Sequence, residues 1–248
     1  MLGPLVVVFT AAAVMMAVER MAPGRTWVKV PGWWVRAALL NGGQLCAVFL
    51  AGVAWDGWML RHRPWSLGGW PPLLAGAFGY VVHAFVYYWW HRARHASPLL
   101  WRWLHQVHHS PQRIEVVTSF YKHPLEVVSN GVLSSAILYV GVGLTPEAAA
   151  VTFVMNAVAE FFYHWNVRTP HWLGYVIQRP ESHCVHHQEG LHAWNYGDLP
   201  LFDMLFGSFR NPRRWDGRCG LGARAEGQLG ALLAGRDAAA ITTGGPPP

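Results

Sequence analysis

The sequence predicts an all-α integral membrane protein, with four to five transmembrane or re-entrant helices carrying a helical cap on the cytoplasmic side. Three observations predict it. Charged residues make up only 13% of the 248 residues, about half the usual share of roughly 25%. Trp is abundant, with fifteen copies in an aromatic total of 14%, and indoles anchor at membrane–water interfaces. Five apolar stretches of 17 to 20 residues punctuate the chain, each near the length that spans a hydrocarbon core. A mean hydropathy of +0.17 is modest for a pure bundle of spans, so a sizeable aqueous layer is expected beside them.

The elements follow in order. Residues 2–18 carry no charge and stop at Glu19-Arg20. Without a basic leading segment or a small-residue cleavage site, they read as a span rather than a signal peptide. Residues 37–54 are apolar apart from Asn41 and Gln44, with Asp56 just beyond. Residues 71–90 are uncharged and include one histidine, His83. Residues 125–144 and 147–163 are separated by Thr145-Pro146, a turn signal that implies a helical hairpin crossing the bilayer or dipping into it. Residues 91–124 and 164–210 then form the cap. The tail from about Ala238 (AAAITTGGPPP) is small and Gly/Pro-rich, a composition expected to stay unstructured. The chain thus divides into N-terminal spans over 1–70, a unit of spans plus cap over 71–210, and a partly disordered C-terminal tail over 211–248.

Charge placement sets the orientation. If residue 2 starts outside, seventeen of the nineteen Lys and Arg fall on the cytoplasmic side and only Arg61 and Arg63 fall opposite, as the positive-inside rule requires. The net charge of +6 is therefore read as membrane topology and not as nucleic-acid binding. Three widely spaced cysteines, Cys46, Cys184 and Cys219, suggest no disulfide framework and a site facing a reducing compartment.

Twelve of the fourteen histidines lie between His91 and His192. They read HRARH (His91, His95), HQVHH (His105, His108, His109), a lone His164, and HCVHH (His183, His186, His187). Residues three and four apart share a helical face, so each cluster is expected to aim its imidazoles at a common point. Imidazole is the commonest biological ligand for iron, zinc and copper, and all these histidines fall on the cytoplasmic side of the spans. Tetrahedral zinc takes four ligands; the surplus here argues for two metal ions, with nitrogen-rich ligation suiting iron and leaving zinc or copper as alternatives. Cys184 follows His183 directly and points about 100° away on a helix, which disfavours it as a ligand. Glu160 shares a helical face with His164 and is a candidate ligand or supporting acceptor, since a carboxylate at the end of a span is costly unless paired. His123 heads the fourth stretch, with Glu126 on the same turn, and is a candidate ligand or a helix cap. His83, mid-span, either orients a ligand, lines a substrate channel or is a hydrogen-bonded core residue. His171 reads as structural, and His62 lies on the opposite membrane side.

These motifs resemble the fatty acid hydroxylase and sterol desaturase superfamily. The residues that carry the resemblance are Tyr88-Trp89-Trp90-His91-Arg92, His105 to His109, His164-Trp165-Asn166, the segment 180–187, Asn195-Tyr196-Gly197 and Asp203-Met204-Leu205-Phe206-Gly207. They span about residues 80–210. The resemblance implies an integral membrane di-iron enzyme that uses O2 and two electrons to oxidise a lipid C–H bond, with zinc as an alternative ion in purified protein. Its implied ligands are His91, His95, His105, His108, His109, His164, His183, His186 and His187. Asp203 and Asn195 match positions that orient histidines through their free ring nitrogen. The chain departs from the pattern at Glu160, where some relatives carry histidine, and at His83, near the place where a carboxylate often stands. His192 is an addition to the pattern, read as an extra ligand or a substrate contact.

Without a fused cytochrome b5 domain, the reading expects a separate electron donor such as a ferredoxin, a cytochrome b5-like protein or a reductase. The substrate class is a membrane lipid, fatty acyl, sphingoid, sterol or ether. The alternative is a membrane metal-binding or transport protein without oxygenase activity, for which ligands spread along the spans are expected rather than ligands gathered in the cap. A zinc hydrolase is disfavoured because the chain contains no HExxH.

Overall fold

The computed structural model describes residues 2–243, and its long regular elements are all helices. Among the described residues there is no strand, only an isolated bridge between Gln188 and Cys219. Every apolar stretch folds as a helix. Helix α1 runs Leu2–Met21, and α2 (Trp33–Ala51) continues through a π-turn at Gly52–Asp56 into α3 (Gly57–Arg61). Helix α4 (Pro72–Ala96) extends past its apolar stretch to carry both His91 and His95. After the short α5 (Pro98–Leu104) and α6 (Gln106–His109), α7 (Pro124–Ser135) continues as a π-turn over Ala136–Gly141, and α8 (Pro146–His164) ends on the lone histidine. Two segments, Gly3–Met21 and Trp33–Arg61, are long and apolar enough to cross a membrane.

Proline sets where these helices begin. Helices α4, α5, α7 and α8 each start with Pro in the first turn, where its missing N–H leaves no bond unmade and its fixed φ suits the helix. Ser97 and Thr145 cap their helices, their side chains accepting from Leu100 N at 3.4 Å and Ala148 N at 3.3 Å.

Helix α8 packs along α4 and, on its other side, against α1. Small residues allow the α4–α8 approach: a Cβ on Gly76 would stand 2.6 Å from Val151 Cβ and 2.7 Å from the Ala148 carbonyl oxygen. Thr152 Oγ1 donates across this seam to the Gly76 carbonyl at 2.7 Å. The Thr145-Pro146 turn does join α7 to α8, but the two legs take different partners, α7 packing on α2 and α8 on α4. A cavity is left between α4, α7 and α8. Helix α1 is tied to the histidine-bearing segments by buried Glu19, whose Oε2 accepts from Val116 N at 3.2 Å and Asn166 N at 3.1 Å.

Helix α9 (Pro180–His186) packs on α8, and α10 (Pro200–Leu205) packs on α4. From Ala238 the tail departs from expectation, being helical as far as Thr243. The C-terminal segment forms α11 (Ala223–Glu226), α12 (Leu229–Leu233) and α13 (Ala238–Thr243), and Ala225, Leu232, Ala238 and Ile241 share an apolar cluster with Trp33, Val107 and Tyr121. Fully buried Gln106 fixes it, donating to Arg236 O at 2.9 Å and accepting from Ala238 N at 3.3 Å. A composition too poor in large apolar residues to fold alone is ordered here by a core that other elements supply. Residues 244–248 of the expected unstructured tail lie outside the described residues.

Candidate metal centre

All nine histidines of the expected ligand set come together, in two groups. His91, His95, His105, His109 and His186 form one, and His108, His164, His183 and His187 the other; within each group the candidate ligand atoms all lie within 4.8 Å of one another. Each HxxHH motif is divided between them, which corrects the expectation of a common point. His105 and His109 serve the first group while His108 serves the second; His183 and His187 serve the second while His186 serves the first. The reason is angular. Residues i and i+4 diverge by about 40° around a helix, whereas i+3 and i+4 diverge by about 100° and cannot meet at one ion. His105 also lies at a break between α5 and α6, with φ −143° and ψ −27°, so HQVHH is not one regular helix. The two groups abut through His109 and His187, whose rings stack at 4.1 Å between centroids.

Hydrogen bonds fix which nitrogen faces inward. His91 Nδ1 lies 2.8 Å from Tyr196 O, His186 Nδ1 2.7 Å from Trp194 O, and His164 Nδ1 2.8 Å from Glu160 O. A carbonyl only accepts, so Nδ1 carries the proton in each ring and Nε2 keeps a bare lone pair. His105 Nδ1 faces the Glu126 carboxylate at 3.0 Å, the carboxylate–histidine arrangement that orients metal ligands. Bare Nε2 atoms of His91 and His105 then stand 2.9 Å apart. Two lone pairs at that distance repel, and a cation between them removes the conflict. Buried His95 Nε2, His186 Nε2 and both ring nitrogens of His187 have no hydrogen-bond partner, a costly state for polar atoms out of water. The donor set therefore fits metal ions.

Electrostatics agrees. Burial above all, then neighbouring imidazoles or Arg94, holds His91, His95, His105, His108, His109, His183 and His187 well below the ordinary value of 6.5. Burial brings His164 and His186 down to about 3, with a hydrogen bond to a backbone carbonyl opposing it in both. Neutral imidazoles are the form that binds metal.

Support comes from a loop and a carboxylate. Asp203 accepts from Tyr196 N at 2.8 Å, Gly197 N at 2.9 Å and Ser208 Oγ at 2.7 Å. Asn195 donates to Ser182 O at 2.8 Å and accepts from Arg210 N at 2.7 Å. Asp203 and Asn195 thus act one step further out than expected, holding the backbone whose Trp194 and Tyr196 carbonyls fix His186 and His91. That backbone is strained: His192, Trp194 and Asn195 have φ of 44°, 72° and 49°, in a region non-glycine residues rarely adopt. His192 stands outside both groups, its Nδ1 3.1 Å from His109 Nδ1. Glu126 and its partner Arg94 were not singled out from the sequence as parts of the site. The available signal was a carboxylate in the first turn of an apolar helix, which needs a partner.

The other candidates stand apart from both groups. The Glu160 carboxylate pairs with Lys122, while its backbone carbonyl serves His164. His123 caps α7, accepting from Leu125 N at 3.0 Å. His171 bonds Asn211 O at 3.0 Å, and exposed His62 bonds its own turn at Trp58 O. Cys184 is a free thiol in an apolar cluster with Ile114, Trp215 and Cys219. His83 meets Ser134 and lines the cavity below the groups.

Fold and site together define an all-helical protein with two adjoining polyhistidine groups, each fit to hold a metal ion. A fatty acid hydroxylase family profile matches residues 76–208, more than half of the chain, and the chain belongs to that family. It is 28% identical over 160 residues to the human alkylglycerol monooxygenase, a match covering 62% of this chain and 34% of that protein. It is 25% identical over 177 residues to the sphingolipid C4-hydroxylase of Schizosaccharomyces pombe, covering 62% of this chain and 60% of that protein. A very-long-chain aldehyde decarbonylase of Oryza sativa is 27% identical over 150 residues, with 56% and 57% covered. The chain thus spans between one third and three fifths of the length of these relatives. No solved structure matches it significantly.

Proposed function

We propose that this chain is a membrane-embedded enzyme that uses O2 and two electrons to hydroxylate or desaturate a C–H bond of a lipid. Two iron ions are held, one by His91, His95, His105, His109 and His186, the other by His108, His164, His183 and His187. The observation that carries this reading is the division of nine neutral imidazoles into two adjoining groups. When bound, the iron supplies the oxidising power that an unactivated C–H bond requires and no side chain possesses. The protein's own part is positional. Tyr196, Trp194 and Glu160 carbonyls keep three lone pairs turned inward, Glu126 does the same for His105, and burial keeps the imidazoles unprotonated. Family membership supports a lipid substrate; the sphingoid and ether-lipid classes are favoured by the names of the relatives.

The proposed topology is multi-pass with the histidines on the cytoplasmic side. Its support is the Lys/Arg bias and the large apolar side chains that α1, α2 and the first half of α4 expose, among them Phe9, Leu39, Leu50, Leu73 and Phe78. Electrons come from a separate donor protein meeting the basic cytoplasmic surface. The test is direct. Purified protein should hold two iron ions per chain, and lipids from cells expressing it should gain one oxygen or lose two hydrogens only when O2 is present. A single zinc ion, with lipid turnover indifferent to O2, would overturn the proposal.

A further inference from the structure

Directly below the histidine groups lies the cavity between α4, α7 and α8, of about 70 Å³. Its wall includes His91, His108 and His183, and also His83 and Asn156. His83 precedes His91, and Asn156 precedes His164, by eight residues on the same helix. Both therefore sit two helical turns, about 12 Å, from the ligand at their helix end. An apolar lipid tail needs no unpartnered polar atoms at that depth, yet these two residues each supply one.

The hydrogen bonds around His83 determine what it offers. Tyr87 OH donates to the Asn130 carbonyl at 2.7 Å, which uses its only proton. Ser134 Oγ, 2.8 Å from that hydroxyl, must then donate to it. Ser134 in turn accepts from His83 Nε2 at 3.0 Å. With its proton on Nε2, neutral His83 presents Nδ1 as a bare acceptor, and this atom is buried without a partner. Asn156 Oδ1, also an acceptor, is buried without a partner as well. Glu126 Oε2 and Arg94 Nε, also buried without partners, line the same cavity beside the histidine groups; at its far end the two orphaned acceptors call for donors on whatever reaches them.

We infer that the cavity binds the donor-bearing end of the substrate: hydroxyl or amide N–H groups given to His83 Nδ1 and Asn156 Oδ1, on a lipid whose reacting carbon lies within two turns of them. The inference rests on the lipid-oxidation reading of this site and narrows it. Carboxylates, esters and plain hydrocarbons bring no donor and would leave both acceptors bare, whereas a polyol ether or a hydroxylated amide satisfies them. A site built to meet a hydroxyl discriminates strongly against the analogue that lacks it. The competing occupant is ordered water, for which the space suffices.

The test is equilibrium binding to the iron-loaded protein in nanodiscs, without reductant, so that no turnover occurs. The probes are 1-O-hexadecylglycerol and its 2,3-di-O-methyl ether, which keeps the oxygens and loses both donors. Wild type should prefer the free diol by about tenfold or more, the two mono-methyl ethers falling between. Asn156→Leu and His83→Phe should each reduce that preference, and the double variant should abolish it. Equal affinity for diol and dimethyl ether in wild type, or a preference untouched by both substitutions, would mean that the cavity holds only water. Should either variant fail to fold, judged by its melting midpoint, the wild-type series of four ethers still decides. O2-dependent lipid oxidation is measured separately on the same preparation. Oxidation without donor preference sinks this inference alone, and donor preference in a protein that never consumes O2 supports the cavity while sinking the proposed function.

Discussion

A histidine recruited to bind metal must present a lone pair rather than a proton, and in this chain the backbone makes the choice. Tyr196, Trp194 and Glu160 carbonyls take the Nδ1 protons of His91, His186 and His164. The Tyr196–Gly197 backbone is in turn fixed by one carboxylate, that of Asp203. Replacing it, Asp203→Asn, turns one acceptor into a donor facing a backbone N–H. The expected result is about 10- to 100-fold weaker metal retention against a chelator, with the helices still formed by circular dichroism. The division of the HxxHH motifs yields a second prediction. His109→Ala and His187→Ala remove neighbours in space from different groups, so each should lower the iron content by one ion and leave the other. Loss of both ions from each variant would mean that the groups do not bind independently. At this scale the nine histidines were legible because spacing and residue type mark them. Glu126 and Arg94 were not, since only the approach of α7 to α5 brings a carboxylate to His105.

Among the elements, α4 and α8 decide where His91 and His164 stand, and their separation is set by what lies between them at Gly76 and Gly79. A Cβ at Gly79 would come 2.7 Å from Leu144 Cδ1 and 2.9 Å from Thr152 Oγ1. Gly76→Val should therefore push α8 away from α4 and carry His164 with it, lowering iron content and O2-dependent turnover together. Unchanged metal content would show that the seam can widen without moving the helix ends. Glu19 is the corresponding strut from α1. Glu19→Ala leaves the Val116 and Asn166 N–H groups unpaired, at about 1–3 kcal/mol each, and should lower the melting midpoint of the intact protein. The positions of all the long helices were legible from apolar run length, and their starts from Pro72, Pro98, Pro124 and Pro146. The parting of α7 from α8 was not, because a turn signal states that two helices are connected but not whether they pack.

The whole molecule responds to pH through its histidines. Burial holds their folded-state values well below 6.5, with His164 and His186 at about 3, so the unfolded chain takes up protons that the folded chain refuses. Stability contributed by these groups is full above about pH 6.5 and is lost as pH falls from there toward the folded values. Nine such groups acting together make the dependence steep. Chelator-treated protein should melt at progressively lower temperature from pH 7 to pH 5, and a flat profile would contradict the burial of these rings as neutral species. The tail belongs to this scale too, since α13 is held by Gln106 and an apolar cluster built from α2 and α6.

The sequence by itself determined which histidines gather, that their number exceeds one ion's need, and which stretches become long helices. These follow from local quantities, residue type, spacing and apolar run length, that any fold must respect. Helix geometry keeps i+3 and i+4 from one ion, but only the tertiary structure decided which partners each histidine joins, which carbonyls set the tautomers, and how the tail becomes ordered. It alone showed that His83 and Asn156 bring unpaired acceptors to the far end of one cavity. Those facts depend on the approach of residues far apart in the chain, set by how the helices pack, and no local pattern encodes a distance between elements.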